Sequence, residues 1–158
     1  MKPRSMTAIY IRGSEGLAVQ LARCCRPIPG DPIVGVIKKG QGLEVHLHDC
    51  ISIAKARGER DRWVDVEWEL DSGRLYDVSI RVVAENRRGV LAKVTSAIAE
   101  SGADIQDVRM DEERGVYTSL FFTLQVSNRI HLARVMRGIR HVPEVVRISR
   151  AKDQTRND

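Results

Sequence analysis

Cys24, Cys25, His46, His48, Asp49 and Cys50 are the densest group of chemically competent side chains in the chain. Zinc is commonly held by four thiolate and imidazole ligands in a tetrahedron. Cys24, Cys25, one histidine and Cys50 would supply such a set. The first two thiols are adjacent, so they can share one ion only where the backbone bends sharply. Pro27, Pro29 and Pro32 follow at once and place a turn there. His46, His48 and Cys50 have the same parity, so alternation along a strand leaves the choice of histidine open. The competing reading is three small buried thiols beside two solvated histidines.

Other chemistry is thinner. His48-Asp49 is a dipeptide that phosphohydrolases use at a catalytic metal, but such a site needs further histidines and carboxylates. Only His131 and His141 remain, both far along the chain. Gly40-Gln41-Gly42 reads as a hairpin turn and not as a phosphate cradle. Gly89, with Val90 and Leu91 behind it, could let a small ligand approach a helix amino terminus, although a tight turn explains the glycine equally well. Tyr117 and Phe121 fall on one face of a strand and could stack bases or meet another subunit. Arg134, Arg137 and Arg140 share a helix and could meet phosphates; a solvated face is the default.

Two modules are needed to position these groups. Residues 1–16 have no sustained periodicity and read as a disordered lead-in. Residues 17–73 read as a small cysteine-rich module. Ile33–Ile37 and Leu43–His48 form a hairpin across a glycine turn. In the second strand Leu43, Val45 and Leu47 share one face, and Glu44, His46 and His48 the other. Asp49 to Ser52 opens a short helix running toward Arg57, which Gly58 stops. Trp63 to Trp68 predicts one further strand. Residues 74–152 read β-α-β-β-α-β, and 153–158 form a polar tail. Val78, Ile80 and Val82 alternate inward. Helical stripes run through Val90, Leu91, Val94, Ala97 and Ile98, then through Leu132, Val135, Met136 and Ile139. Ser101-Gly102 ends the first helix, and Asn128 caps the second. The expectation is an α+β chain: a cysteine-rich β-hairpin module followed by a ferredoxin-like sheet carrying two helices on one face.

Composition limits the partners. The chain has 158 residues, 42% of them hydrophobic, which gives each half a thin core that a metal or partner would reinforce. Residues 74–150 hold 13 basic and 9 acidic groups, whereas residues 1–73 hold 11 and 10. This excess permits contact with RNA without demonstrating it. No apolar run approaches the roughly 20 residues of a membrane span, and Met1-Lys2-Pro3-Arg4 leads into no signal core. Three cysteines cannot all pair with one another, which fits a reducing, cytoplasmic setting.

The string Val19-Gln20-Leu21-Ala22-Arg23-Cys24-Cys25-Arg26-Pro27-Ile28-Pro29-Gly30-Asp31 resembles the cysteine-rich, zinc-finger-like segment of long RelA/SpoT homologues. Gln41-Gly42-Leu43 through His46-Leu47-His48-Asp49-Cys50 continues the likeness in order and spacing. The βαββαβ unit that follows resembles that family's ACT domain. The resemblance implies a parent enzyme of the bacterial stringent response that makes and hydrolyses (p)ppGpp, with its hydrolase, synthetase and TGS domains outside this chain. On that reading the chain is regulatory and has no active site of its own. Its ligand set would be Cys24, Cys25, His46 and Cys50 for Zn2+, with Asp49 beside it. The implied partners are the catalytic domains of the parent, ribosomal RNA or tRNA, and a second copy through the ACT domain. An amino acid held near Gly89, as in many ACT sensors, is the alternative.

Overall fold

The computed structural model describes residues 11–12, 18–38, 40, 42–54, 62–68, 73–111 and 115–151. The chain divides into two compact units, Met1–Pro27 with Asp31–Arg74, and Ile28–Gly30 with Leu75–Asp158.

The first unit is built on a four-stranded sheet. Its strands are β2 (Val19–Leu21), β3 (Ile33–Lys38), β4 (Gly42–Leu47) and β5 (Trp63–Val64), in the order β2-β4-β3-β5. The hairpin read from the glycine turn is present: β3 pairs antiparallel with β4 from Ile33↔Leu47 to Lys38↔Gly42. The pairing of β2 is parallel, with Val19 opposite Leu43 and Leu21 opposite Val45. Gly42 makes that approach feasible, because its φ is +87° and a Cβ there would collide with the Ala18 carbonyl oxygen. That carbonyl accepts the Leu43 N–H at 2.7 Å.

Both faces of this sheet are covered. Leu43, Val45 and Val66 are buried together on one side. Val34 and Val36 join Ala22, Cys25, Cys50 and Ile53 on the other. Cys50 and Ile53 come from the segment that enters α1 (Ile51–Ala54). The expected continuation of this helix to Arg57 and its stop at Gly58 lie outside the described residues.

Two expectations change here. The single strand expected over Trp63–Trp68 is split. Trp63 and Val64 pair with β3, while β6 (Glu67–Trp68) pairs antiparallel with β1 (Ile11–Arg12). Between them Val66 is buried, 6% exposed, with Leu43 and Val45. An uninterrupted strand could not serve both partners. The second change is that β1 falls in the stretch that lacks periodicity, since two residues are too few to show any.

The second unit has the βαββαβ order. Its elements are β7 (Tyr76–Glu85), α2 (Val90–Glu100), β8 (Asp104–Met110), β9 (Tyr117–Val126), α3 (Arg129–Arg140) and β10 (Val145–Arg150). The sheet order is β10-β7-β9-β8, with every neighbouring pair antiparallel. Val78, Ile80 and Val82 of β7 and Leu120, Phe122 and Leu124 of β9 are buried against the helix residues Val94, Ile98, Val135 and Ile139. Of the expected stripes, Leu91, Ala97 and Met136 are only half-buried, at the margins of the helix faces.

The helix ends follow capping chemistry. The Asn128 side chain accepts the His131 N–H at 2.8 Å and caps α3. His131 then ties the helices together: its Nδ1 accepts the Ser127 N–H at 3.0 Å, and Nε2 donates to the Ser101 carbonyl at 2.9 Å. Arg137 and Arg140 lie in the last turn of α3, where cations complement the helix dipole. No helix among the described residues is long and apolar enough to cross a membrane.

Candidate metal centre

Three separate segments of the first unit converge on one point. Cys24 and Cys25 lie on a turn closed by the Arg26 N–H donating to the Ala22 carbonyl at 3.0 Å. The sharp bend is at Arg26, whose φ of +46° is left-handed, and so precedes the prolines expected to make it. That geometry turns both adjacent side chains toward β4. Cys25 is fixed further by the Leu47 N–H, which donates to its Sγ at 3.2 Å. His46 projects from β4 and is 4% exposed. Cys50 stands at the entrance to α1 and is 3% exposed.

The ligand atoms of Cys24, Cys25, His46 and Cys50 all lie within 4.8 Å of one another, close enough to hold a metal ion. His46 Nδ1 is 3.5 Å from Cys24 Sγ and 3.8 Å from Cys25 Sγ. Cys24 Sγ is 3.5 Å from Cys50 Sγ and 4.0 Å from Cys25 Sγ. A tetrahedron with zinc–sulfur bonds of about 2.3 Å and a zinc–nitrogen bond of about 2.0 Å has edges of about 3.5–3.8 Å. Of the six edges of the cluster, these four run from 3.5 to 4.0 Å and the other two stay within 4.8 Å. They are far longer than the roughly 2.05 Å of a disulfide, and all three cysteines are free.

The electrostatics call for a cation. Burial pushes the Cys25 and Cys24 thiols up, and the neighbouring Cys50 sulfur adds to this at both. Burial also acts against ionisation of Cys50, but hydrogen bonds from His46, Cys24 and the Ser52 backbone outweigh it and bring that thiol down to about 7. Three crowded sulfurs cannot all ionise unless a positive charge sits among them. A cavity of about 410 Å³ beside the cluster is lined by Cys24, Glu44, His46, Ser52 and Trp63 among others.

The remaining sequence candidates are dispersed. Although parity could not separate the histidines, β4 ends at Leu47, leaving His48 and Asp49 exposed in the following turn. Gly89 precedes α2 with a φ of +85°, and a Cβ there would meet nothing within 4 Å, so the backbone angle alone accounts for the glycine. Val90 is buried and its N–H is spent on the Arg87 carbonyl, while Leu91 is half-buried. Tyr117 and Phe121 lie on the sheet face away from the helices, and Arg134, Arg137 and Arg140 are exposed on α3. Two residues that sequence reading missed flank Phe121: the guanidinium groups of Arg109 and Arg81 lie 4.8 and 5.9 Å from its ring centroid. Cross-strand register makes all three neighbours, but register is not visible in a single strand.

Comparison with known proteins bears on the whole chain. The family model described as the RelA/SpoT RIS domain matches residues 9–69, and that of the ACT domain matches residues 72–150. The bifunctional (p)ppGpp synthase/hydrolase SpoT of Escherichia coli K12 is 36% identical over 143 residues, covering 90% of this chain and 20% of that protein. The chain belongs to the RelA/SpoT family. A GTP pyrophosphokinase of Streptomyces coelicolor is 32% identical over 147 residues, covering 91% of this chain and 17% of its own length. The chain thus spans about a fifth of the curated relatives it matches. What it shares with them is their carboxyl-terminal regulatory region, the RIS and ACT domains, and not their catalytic domains. Among solved structures, the ACT domain of a GTP pyrophosphokinase from Chlorobium tepidum is 22% identical, with a TM-score of 0.44, and covers 49% of this chain and 99% of its own.

Proposed function

We propose that this chain is a regulatory region that conveys ribosome, tRNA or intramolecular signals to (p)ppGpp synthetase and hydrolase domains in the cytoplasm, with its first unit locked by a structural Zn2+. The observation that carries the metal is the Cys24, Cys25, His46, Cys50 cluster, whose ligand atoms all lie within 4.8 Å of one another and whose Cys24–His46, Cys25–His46 and Cys24–Cys50 separations are 3.5–3.8 Å. Three sulfurs and one nitrogen favour zinc over oxygen-seeking ions such as magnesium. Four protein ligands leave no coordination position for substrate, which is the mark of a structural ion. The regulatory role is supported by homology confined to the RIS and ACT region of enzymes named for (p)ppGpp chemistry. It requires that the purified chain neither make nor degrade (p)ppGpp. Attaching it to the catalytic domains of a relative should change their ratio of synthesis to hydrolysis. An unchanged ratio, or turnover by the chain alone, would overturn the reading. Calorimetric binding of a branched-chain amino acid that is lost in Gly89→Val would favour instead an amino-acid-sensing ACT dimer.

The open sheet face supports RNA as one partner. Arg81 donates from Nε and Nη2 to Ser119 Oγ at 3.3 and 3.0 Å, so this cation is braced beside Phe121. With Phe121 already engaged by guanidinium groups, contact with phosphates is better supported than base stacking. Binding to ribosomal RNA should weaken with salt and with Arg109→Ala, and a salt-independent affinity would exclude this mode.

A further inference from the structure

Glu44 has no place in the ligand set, yet it makes the shortest polar contact to any member of it. Its Oε1 lies 2.8 Å from His46 Nε2, the ring nitrogen pointing away from the thiols. A carboxylate can only accept, so Nε2 carries the proton. Nδ1, the nitrogen that points at the sulfur cluster, would give up any proton it shares with the thiols when a metal binds, and its lone pair would then face the ion.

We infer that Glu44 is a positioning residue for the metal centre, holding the His46 ring in the orientation and protonation form that presents Nδ1 to Zn2+. This rests on the zinc reading above.

The backbone supports the assignment. Glu44 and His46 are two residues apart on β4, so their side chains leave the same face of the sheet. At Glu44 the strand is flanked on both sides, by Val36 of β3 and by Gln20 of β2; His46 is opposite Val34. A carboxylate mounted there has little freedom to drift. Lys38 is 3.4 Å from the same Oε1, which invites the simpler view that Glu44 only forms a surface ion pair. The distances and exposures decide against that view. Lys38 is about half exposed and farther from the carboxylate, whereas the His46 side chain is 5% exposed and nearer. The lysine has a complementary use. Three thiolates with a divalent ion carry one net negative charge, so a carboxylate so close needs a cation on its outer side, and Lys38 supplies it. Metal-bound histidines commonly donate their second N–H to such a group, and losing it typically lowers metal affinity about 10–100-fold.

The test compares the full chain with Glu44→Ala and Glu44→Gln, using Zn2+ in competition with a chromophoric chelator and long-range 15N–1H spectra of the His46 ring. The wild type should show the Nε2–H form with zinc on Nδ1. Glu44→Ala should bind zinc about 10–100-fold more weakly and lose protection of the Nε2 proton. Glu44→Gln, whose side-chain carbonyl can still accept, should recover most of the affinity. A merely structural role would leave the ring spectrum unaltered. Zinc carried on Nε2, or unchanged affinity and spectrum in Glu44→Ala, overturns the inference while leaving the zinc site standing. A wild-type chain that binds no zinc overturns both. Because the wild-type spectrum alone distinguishes Nδ1 from Nε2 ligation, misfolding of a variant does not remove the test.

Discussion

Cys50→Ser is expected to lower zinc affinity by more than the roughly 100-fold that marks the upper range for losing an outer hydrogen-bond partner, because a ligand itself is removed. Cys50 is the thiol held lowest in pKa, at about 7, and so the one readiest to serve as thiolate near neutrality. A serine hydroxyl does not ionise there and is a poor donor to a borderline-soft ion. The loss should reach the fold as well. A structural zinc site can contribute on the order of 10–16 kcal/mol of apparent binding energy to a small domain, and that energy becomes folding energy. The covering layer on this face of the first unit is short: Ala22, Cys25, Cys50 and Ile53 over Val34 and Val36. Thermal unfolding followed by tryptophan fluorescence reads this unit selectively, since both tryptophans, Trp63 and Trp68, belong to it. Wild type treated with a chelator should unfold at a lower temperature, and Cys50→Ser should already sit there and respond little to chelator. Unchanged zinc content by elemental analysis would remove Cys50 from the ligand set.

Phe122→Ala should destabilise the second unit by about 3–5 kcal/mol, the usual cost of emptying a buried aromatic site. Phe122 is 1% exposed on β9, which runs between β7 and β8, and its cross-strand neighbours are Ile80 and Val108. Val94, Ile98, Val135 and Ile139, all 0% exposed, complete the core of that unit, so the helix layer has little slack with which to close the cavity. Domains typically have only about 5–15 kcal/mol of net stability, so this single change would consume much of it. Amide exchange along β7 and β9 reads the effect directly, and protection there should fall by two or more orders of magnitude, at about 1.4 kcal/mol for each tenfold. A loss below about 1 kcal/mol would mean that Phe122 is not packed as described.

Much of this was legible in the residues. The ACT layout follows from local pattern: alternation through Val78, Ile80 and Val82, helical spacing through Val94 and Ile98 and through Leu132, Val135 and Ile139, and end signals at Gly102 and Asn128. Such elements repeat their inward residues often enough for the period to show. The first unit is made of strands of two to six residues, too short for that. The splitting of Trp63–Trp68 and the parallel seating of β2 beside β4 depend on partners remote in sequence.

The candidate centre divides along the same line. Residue type alone determined that this chain brings three thiols and imidazole near a turn and a hairpin, because no other side chains of these kinds lie close by in the sequence. The tertiary structure decided which histidine enters, since His46 and His48 share parity and differ only in falling before and after the end of β4. It also put the bend at Arg26 and set Glu44 against Nε2 of His46. Periodicity records which face a side chain takes. Which atoms meet across 21 to 26 residues of intervening chain is settled only when the strands pair and the turn closes.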